Sequence, residues 1–145
     1  MELFSDMFDN NGKIPSKYTC DGTEISPPLT IDDIPTETIS LVLIMDDPDA
    51  SVGVWDHWIV FNVPPETEEI EEGTEPQGTP GKNSWGKAGY GAPCPADGEH
   101  GYVFTVYALD VKLELQEGAT KQQILDSMDS HIIEEAQLIG KYERQ

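Results

Sequence analysis

Basic residues are what this sequence has least of. Against 28 Asp and Glu it carries 8 Lys and Arg, a formal net charge of -20. With no basic patch to neutralise phosphates, binding to nucleic acid or to an anionic membrane is disfavoured. Long apolar runs are also missing, and nothing approaches the roughly 20 residues of a membrane-spanning helix. The start, Met1-Glu2-Leu3-Phe4-Ser5-Asp6, has neither the basic nor the apolar segment of a secretory signal. A soluble, cytoplasmic protein is therefore expected. Cysteine is scarce: Cys20 and Cys94 allow one disulfide or two free thiols, in a spacing that fits neither a zinc ribbon nor a C-x-x-C redox motif. A cytosolic address favours thiols, although intracellular disulfides occur in some extremophiles.

What is present suffices for one domain over residues 1–145, with 37% hydrophobic residues and room for a proper core. The acidic excess over a normal core fits a protein that stays soluble in concentrated salt. There the Debye length falls to about 3 Å at 1 M and the self-repulsion is screened.

Turn residues break up the first 27 positions, and Leu29-Thr30-Ile31 reads as a short strand. From Ile39 to Met45 an apolar, β-branched run has the length and composition of a central strand. Trp58 to Val63 is the next strand, stopped by Pro64-Pro65, and Tyr102 to Leu109 is the clearest of all. Six glutamates between Glu66 and Glu75 read as a solvated, mobile loop. Thr120 is an N-cap for a helix carrying Ile124, Leu125 and Met128, whose end the pattern does not fix. These elements predict a mainly antiparallel β-sandwich with one or two short helices.

The chemistry gathers around the end of the central strand. Asp46, Asp47 and Asp49 form an acidic turn with Pro48, and His57 follows between Trp55 and Trp58. His100 stands just before the strand at Tyr102. If those strands enter the fold from one end, both imidazoles and the Asp47 and Asp49 carboxylates meet on one rim. Between Gly73 and Gly101, eight Gly and four Pro in 29 residues leave a long connection without periodicity. Such a connection is uncommon in a compact domain and usually functional, so it is expected to wrap the site.

Several motifs then resemble one family, in order and over nearly the whole length. They are Asp46-Asp47-Pro48-Asp49-Ala50, Trp55-x-His57-Trp58, Gly91-x-Pro93-Cys94-Pro95 and Gly98-x-His100-x-Tyr102. The likeness is to the phosphatidylethanolamine-binding proteins, closest to the bacterial and archaeal Raf-kinase-inhibitor-like branch. Ser16 to Gly22, Ser26 to Leu29 and Gly140-x-Tyr142-x-Arg144 add to it. The resemblance implies a sandwich of two antiparallel sheets with a small cavity for phosphate or a phosphorylated head group. Ligand-binding residues would be Asp47, Asp49, His57 and His100, with Trp55, Pro93 and Tyr102 as wall or rim. It implies a binding and regulatory protein, acting as monomer or homodimer on a partner such as a kinase or a protease, with no catalysis and no cofactor. It also implies that His131 to Tyr142 is largely strand, and it brings Cys20 and Cys94 near enough for a disulfide to be considered.

Two positions depart from the family pattern: Gly101 stands where an Arg is usual, and Ser51 where a Pro is usual. Losing that Arg removes a fork of five donors. Neutral imidazole has one N–H, so an anion beside two carboxylates needs protonated histidines or screening salt. Anion binding is expected to strengthen as pH falls. The rival class is a metal-dependent hydrolase on His57, His100, Asp47 and Asp49, though no H-E-x-x-H or H-x-x-E-H spacing supports it. A thiol hydrolase with Cys94 as nucleophile and His100 as base is a further alternative.

Overall fold

A computed structural model describes residues 1–145. In chain order the elements are β1 (Glu2–Phe4), β2 (Gly12–Lys13), a 3-10 turn (Ser16–Tyr18), β3 (Leu29–Asp32), β4 (Ser40–Asp47) and β5 (Trp55–Val63). Then come β6 (Glu69–Ile70), β7 (Thr79–Pro80), β8 (His100–Leu109), α1 (Lys121–Met128) and β9 (Ile132–Tyr142). Two sheets form, a small one in the order β1-β3-β6 and a large one in the order β2-β9-β8-β4-β5-β7. Pairing is antiparallel except for β2, whose two residues run parallel to the end of β9. The mainly β sandwich expected from the sequence is the fold observed.

The unbroken apolar run of β4 has a physical reason. Leu41, Leu43 and Met45 face the small sheet and share one cluster with its Leu29 and Ile31 and with Trp58 and Phe104 of the adjoining strands β5 and β8. Val42 and Ile44 face the other way, onto Ile59, Phe61, Ile124 and Met128. A strand buried on both faces loses the alternation of a half-buried one. Helix α1 supplies the third layer. Its Thr120 side chain accepts from the Gln123 N–H, while the Gln123 side chain accepts from the Thr120 N–H, closing a capping box. The helix ends at Met128, and Ser130 at φ 70° turns the chain into β9. The strand implied by the family resemblance replaces the helical continuation that the pattern left open.

Lys121 ties this helix to the sheet. Its Nζ lies 2.9 Å from both Asp46 Oδ2 and Asp56 Oδ1, and these aspartates are cross-strand partners in β4 and β5. Burial alone would lower the Lys121 pKa, but the two carboxylates hold it above the ordinary lysine value.

The glutamate-rich segment is not a free loop. Glu69 and Ile70 pair with β3, and the Ile70 side chain is buried. Glu72 accepts from Lys17 Nζ at 2.8 Å and from the Tyr18 hydroxyl at 2.5 Å, and Glu75 accepts from the Trp58 indole at 3.0 Å. Carboxylates that satisfy buried donors order the stretch that charge density alone made look mobile.

Candidate functional site

Topology decides which residues meet. β4 is antiparallel to both of its neighbours, so its C-terminal end adjoins the starts of β5 and β8. Asp47 pairs with Trp55, and Asp46 with Val103. Asp47, His57 and His100 therefore share one end of the large sheet. The acidic residues Asp46 and Asp47 belong to the strand itself, and the turn begins at Pro48.

His57 reaches this cavity through a bulge. Met45 pairs with Trp58 and Asp46 with Asp56, leaving His57 as an extra residue on β5. Strict alternation would send His57 to the helix side with Ile59 and Phe61, and the bulge re-aims it. Its backbone oxygen accepts from the Gly91 N–H at 2.8 Å, and its Nδ1 lies 2.7 Å from the Gly91 oxygen. A carbonyl only accepts, so Nδ1 carries the proton. Burial pushes the His57 pKa below the ordinary imidazole value, partly offset by the Gly91 carbonyl and by Asp47, Asp46 and Asp56.

His100 is held differently. Its Nδ1 donates to Asp47 Oδ2 at 2.7 Å, and Asp47 is itself buried. Burial alone would lower the His100 pKa. The hydrogen bond and charge of Asp47, with Asp49 and Asp97 beyond, hold it above the ordinary value. Tyr102 stands between the two rings, edge-on to His57 at 5.2 Å and stacked on His100 at 6.3 Å. Burial, with the fields of Asp47 and Asp49, raises the Tyr102 phenol pKa far above its usual range.

These groups line a cavity of about 230 Å³. That is below the roughly 300–1,000 Å³ of drug-sized sites and suits a small head group. Of the residues expected from sequence, Asp47, Trp55, His57, His100 and Tyr102 line it. Asp49 and Pro93 do not. Asp49 is spent on the frame: its N–H donates to Asp47 Oδ1 and its Oδ2 accepts from the Gly101 N–H, each at 2.8 Å. Pro93 lies behind the wall, where its oxygen accepts from the Cys20 N–H. No three His, Cys, Asp or Glu side chains are grouped to hold a metal ion.

The glycine-rich connection does wrap this cavity, and it brings residues that the spacing did not single out. Buried Asn83 accepts from the N–H groups of Trp85 and Lys87 and donates to the Gly89 oxygen, fixing the loop. Trp85 thereby stands edge-on to Trp55 at 5.5 Å and to His57 at 5.0 Å. A side chain at Gly91 would run into the Trp85 ring, so glycine is required where the indole lies on the backbone. Asp97, with a 92% exposed side chain, sits at the mouth 3.9 Å from His100 Nε2. The Asn83-x-Trp85-Gly86 sequence was the available signal, since a short amide before a glycine favours such a turn.

Cys20 and Cys94 form a disulfide with Cα atoms 5.4 Å apart, and no free cysteine remains. Of the two states the sequence left open, the disulfide is the one present, and Cys94 has no thiolate to offer as a nucleophile. Beside the bridge, Tyr90 donates from its hydroxyl to the Tyr18 oxygen at 2.8 Å.

A β-sandwich with a small His/His/Asp cavity at one sheet end is the class of protein that fold and site define. The phosphatidylethanolamine-binding protein family model matches residues 4–143, and the chain belongs to that family. A UPF0098 protein of Methanothermobacter thermautotrophicus is 49% identical, with 99% of each chain covered. A UPF0098 protein of Chlamydia trachomatis is 48% identical, again over 99% of each. The crystal structure of a homolog of this family from Chlamydia trachomatis has a TM-score of 0.97 at 48% identity, covering 99% of this chain and 97% of that one. Escherichia coli YbcL, described as a member of the mammalian family, has a TM-score of 0.90 at 26% identity, covering 99% and 98%.

Proposed function

We propose that this protein binds phosphate and phosphorylated head groups in the His57/His100 cavity and acts through binding, as a regulator without turnover. One observation carries the reading. Each histidine has its Nδ1 committed to a fixed acceptor, Gly91 O or Asp47, so each ring turns Nε2 to a ligand in one small cavity, with only the exposed Asp97 carboxylate, 3.9 Å from His100 Nε2, to be displaced. Asp47 holds the His100 pKa above the ordinary value, and in its protonated form the ring supplies a charged donor; charge-assisted hydrogen bonds to oxyanions are the strong ones. Family membership supports ligand binding in general.

A kinase or protease would be the kind of partner regulated, with the ligand's occupancy as the signal. The metal-hydrolase alternative is less well supported, because Asp47 and Asp49 already serve His100 and the turn backbone. Calorimetric titration with phosphoethanolamine tests the proposal. Saturable binding that His100→Ala abolishes is expected, and unchanged binding in that variant would contradict it.

A further inference from the structure

Regular alternation in β5 would set Asp56 with Trp58 and Val60 toward the small sheet, and His57 with Ile59 and Phe61 toward α1. The bulge exchanges the two. His57 faces the cavity, and Asp56 comes to lie beside Asp46 on the helix side. Two carboxylates opposed across neighbouring strands repel. The Asp46 and Asp56 side chains are only 22% and 20% exposed, so water screens that repulsion poorly.

Lys121 answers the repulsion from the other layer. Its Nζ donates to Asp46 Oδ2 and to Asp56 Oδ1, each at 2.9 Å, and an unbulged register would turn Asp56 away from it. Lys121 is the first residue of α1, where a cation has the wrong sign for the helix dipole, so its place serves the sheet and not its own helix. From the opposite edge the glycine-rich connection grips the same point. The Asp56 N–H donates to Ser84 Oγ at 2.7 Å, and the Ser84 N–H donates to Asp56 O at 2.9 Å. Those bonds hold main-chain atoms, while Lys121 holds the Asp56 carboxylate.

We infer that Lys121 is a positioning residue for the cavity: by bridging Asp46 and Asp56 it keeps β5 in the bulged register that turns His57 toward Tyr102 and Trp85. Lys121 does not line the cavity and acts on it through the sheet. Its bearing on ligand binding rests on the anion-site reading given above; its hold on the ring does not.

The test reads the ring itself by NMR. In the unaltered protein the His57 Nδ1–H that donates to Gly91 O should resist exchange with water, and the ring should show contacts to Tyr102 and Trp85. In Lys121→Met the Nδ1–H signal should be lost to exchange, and the ring contacts with it. Lys121→Arg, whose guanidinium still spans two carboxylates, should keep both. Ile124→Ala removes buried packing from the same helix, so it should lower the melting temperature and leave the His57 signals in place. Should Lys121→Met not fold, adding Asp46→Ala and Asp56→Ala leaves no unpaired charge there, and the same loss is expected. A protected Nδ1–H with both ring contacts in Lys121→Met, or in the triple variant in its place, would overturn the inference whatever the melting temperature. Equal loss of the His57 signals in Ile124→Ala would overturn it too, since the ring would then answer to any loosening of α1. Failure of the anion-site reading would show in phosphate titration and not in these signals.

Discussion

Replacing Cys20 and Cys94 together by serine acts mainly on the unfolded chain. The bridge spans a sequence separation of 74, and closing a loop of that length removes chain entropy worth about 4.5 kcal/mol at 25 °C. Folded-state losses are small by comparison, because Cys94 is exposed and Cys20 only half-buried. The Cys20 N–H to Pro93 hydrogen bond and the Tyr90 hydroxyl to Tyr18 hydrogen bond still join the two segments. For a chain of 145 residues such a loss corresponds to a melting temperature lower by about 9–18 °C. Urea unfolding read by tryptophan fluorescence should give a lower midpoint. The slope m should rise, since the uncrosslinked unfolded chain exposes more surface. A loss below about 1 kcal/mol with an unchanged slope would refute the chain-entropy account.

Asp47→Asn should lower the His100 pKa, measured by NMR, and remove a pH-dependent part of stability. Because the folded pKa of His100 is raised, its contribution is full below about pH 6.5 and fades as pH rises through the folded value. The variant's stability deficit should therefore be largest in mildly acidic buffer, and a deficit growing toward alkaline pH would contradict this. Gly101→Arg restores the residue usual in the family. A Cβ there would stand 3.6 Å from Asp49 Oδ2 and 3.7 Å from Ile139, ordinary contact distances. Stability should change by no more than about 0.5 kcal/mol. Phosphate affinity measured by calorimetry should rise by up to about tenfold. Added KCl should raise the melting temperature by screening the charge of -20, with a flat or falling trend as the contrary result.

What the sequence made legible was whatever local physics decides. The doubly buried β4 follows from its unbroken apolar run, and α1 follows from a capping box and the Ile124/Met128 spacing. The strand over Ile132–Tyr142 came from resemblance alone; its exposed Ile132 and the paired glutamates Glu134 and Glu135 give no alternating pattern. His57, His100 and Asp47 were visible as chemistry, yet the bulge that aims His57 depends on pairing between β4 and β5 and leaves no mark in one strand's sequence. Asp49 was misplaced for a similar reason. A carboxylate two residues past Asp47 looks like a ligand group, but its Oδ2 is taken by a backbone N–H from β8, 52 residues away. Trp85 was hidden in a loop whose shape rests on one buried amide, Asn83.

The most direct measurement follows the His57 and His100 imidazole signals by NMR during titration with inorganic phosphate, with a parallel zinc series. The account predicts saturable shifts of both rings with phosphate at a common dissociation constant, lost in His57→Ala. Rings that ignore phosphate and respond to zinc would contradict it and move the site to metal chemistry.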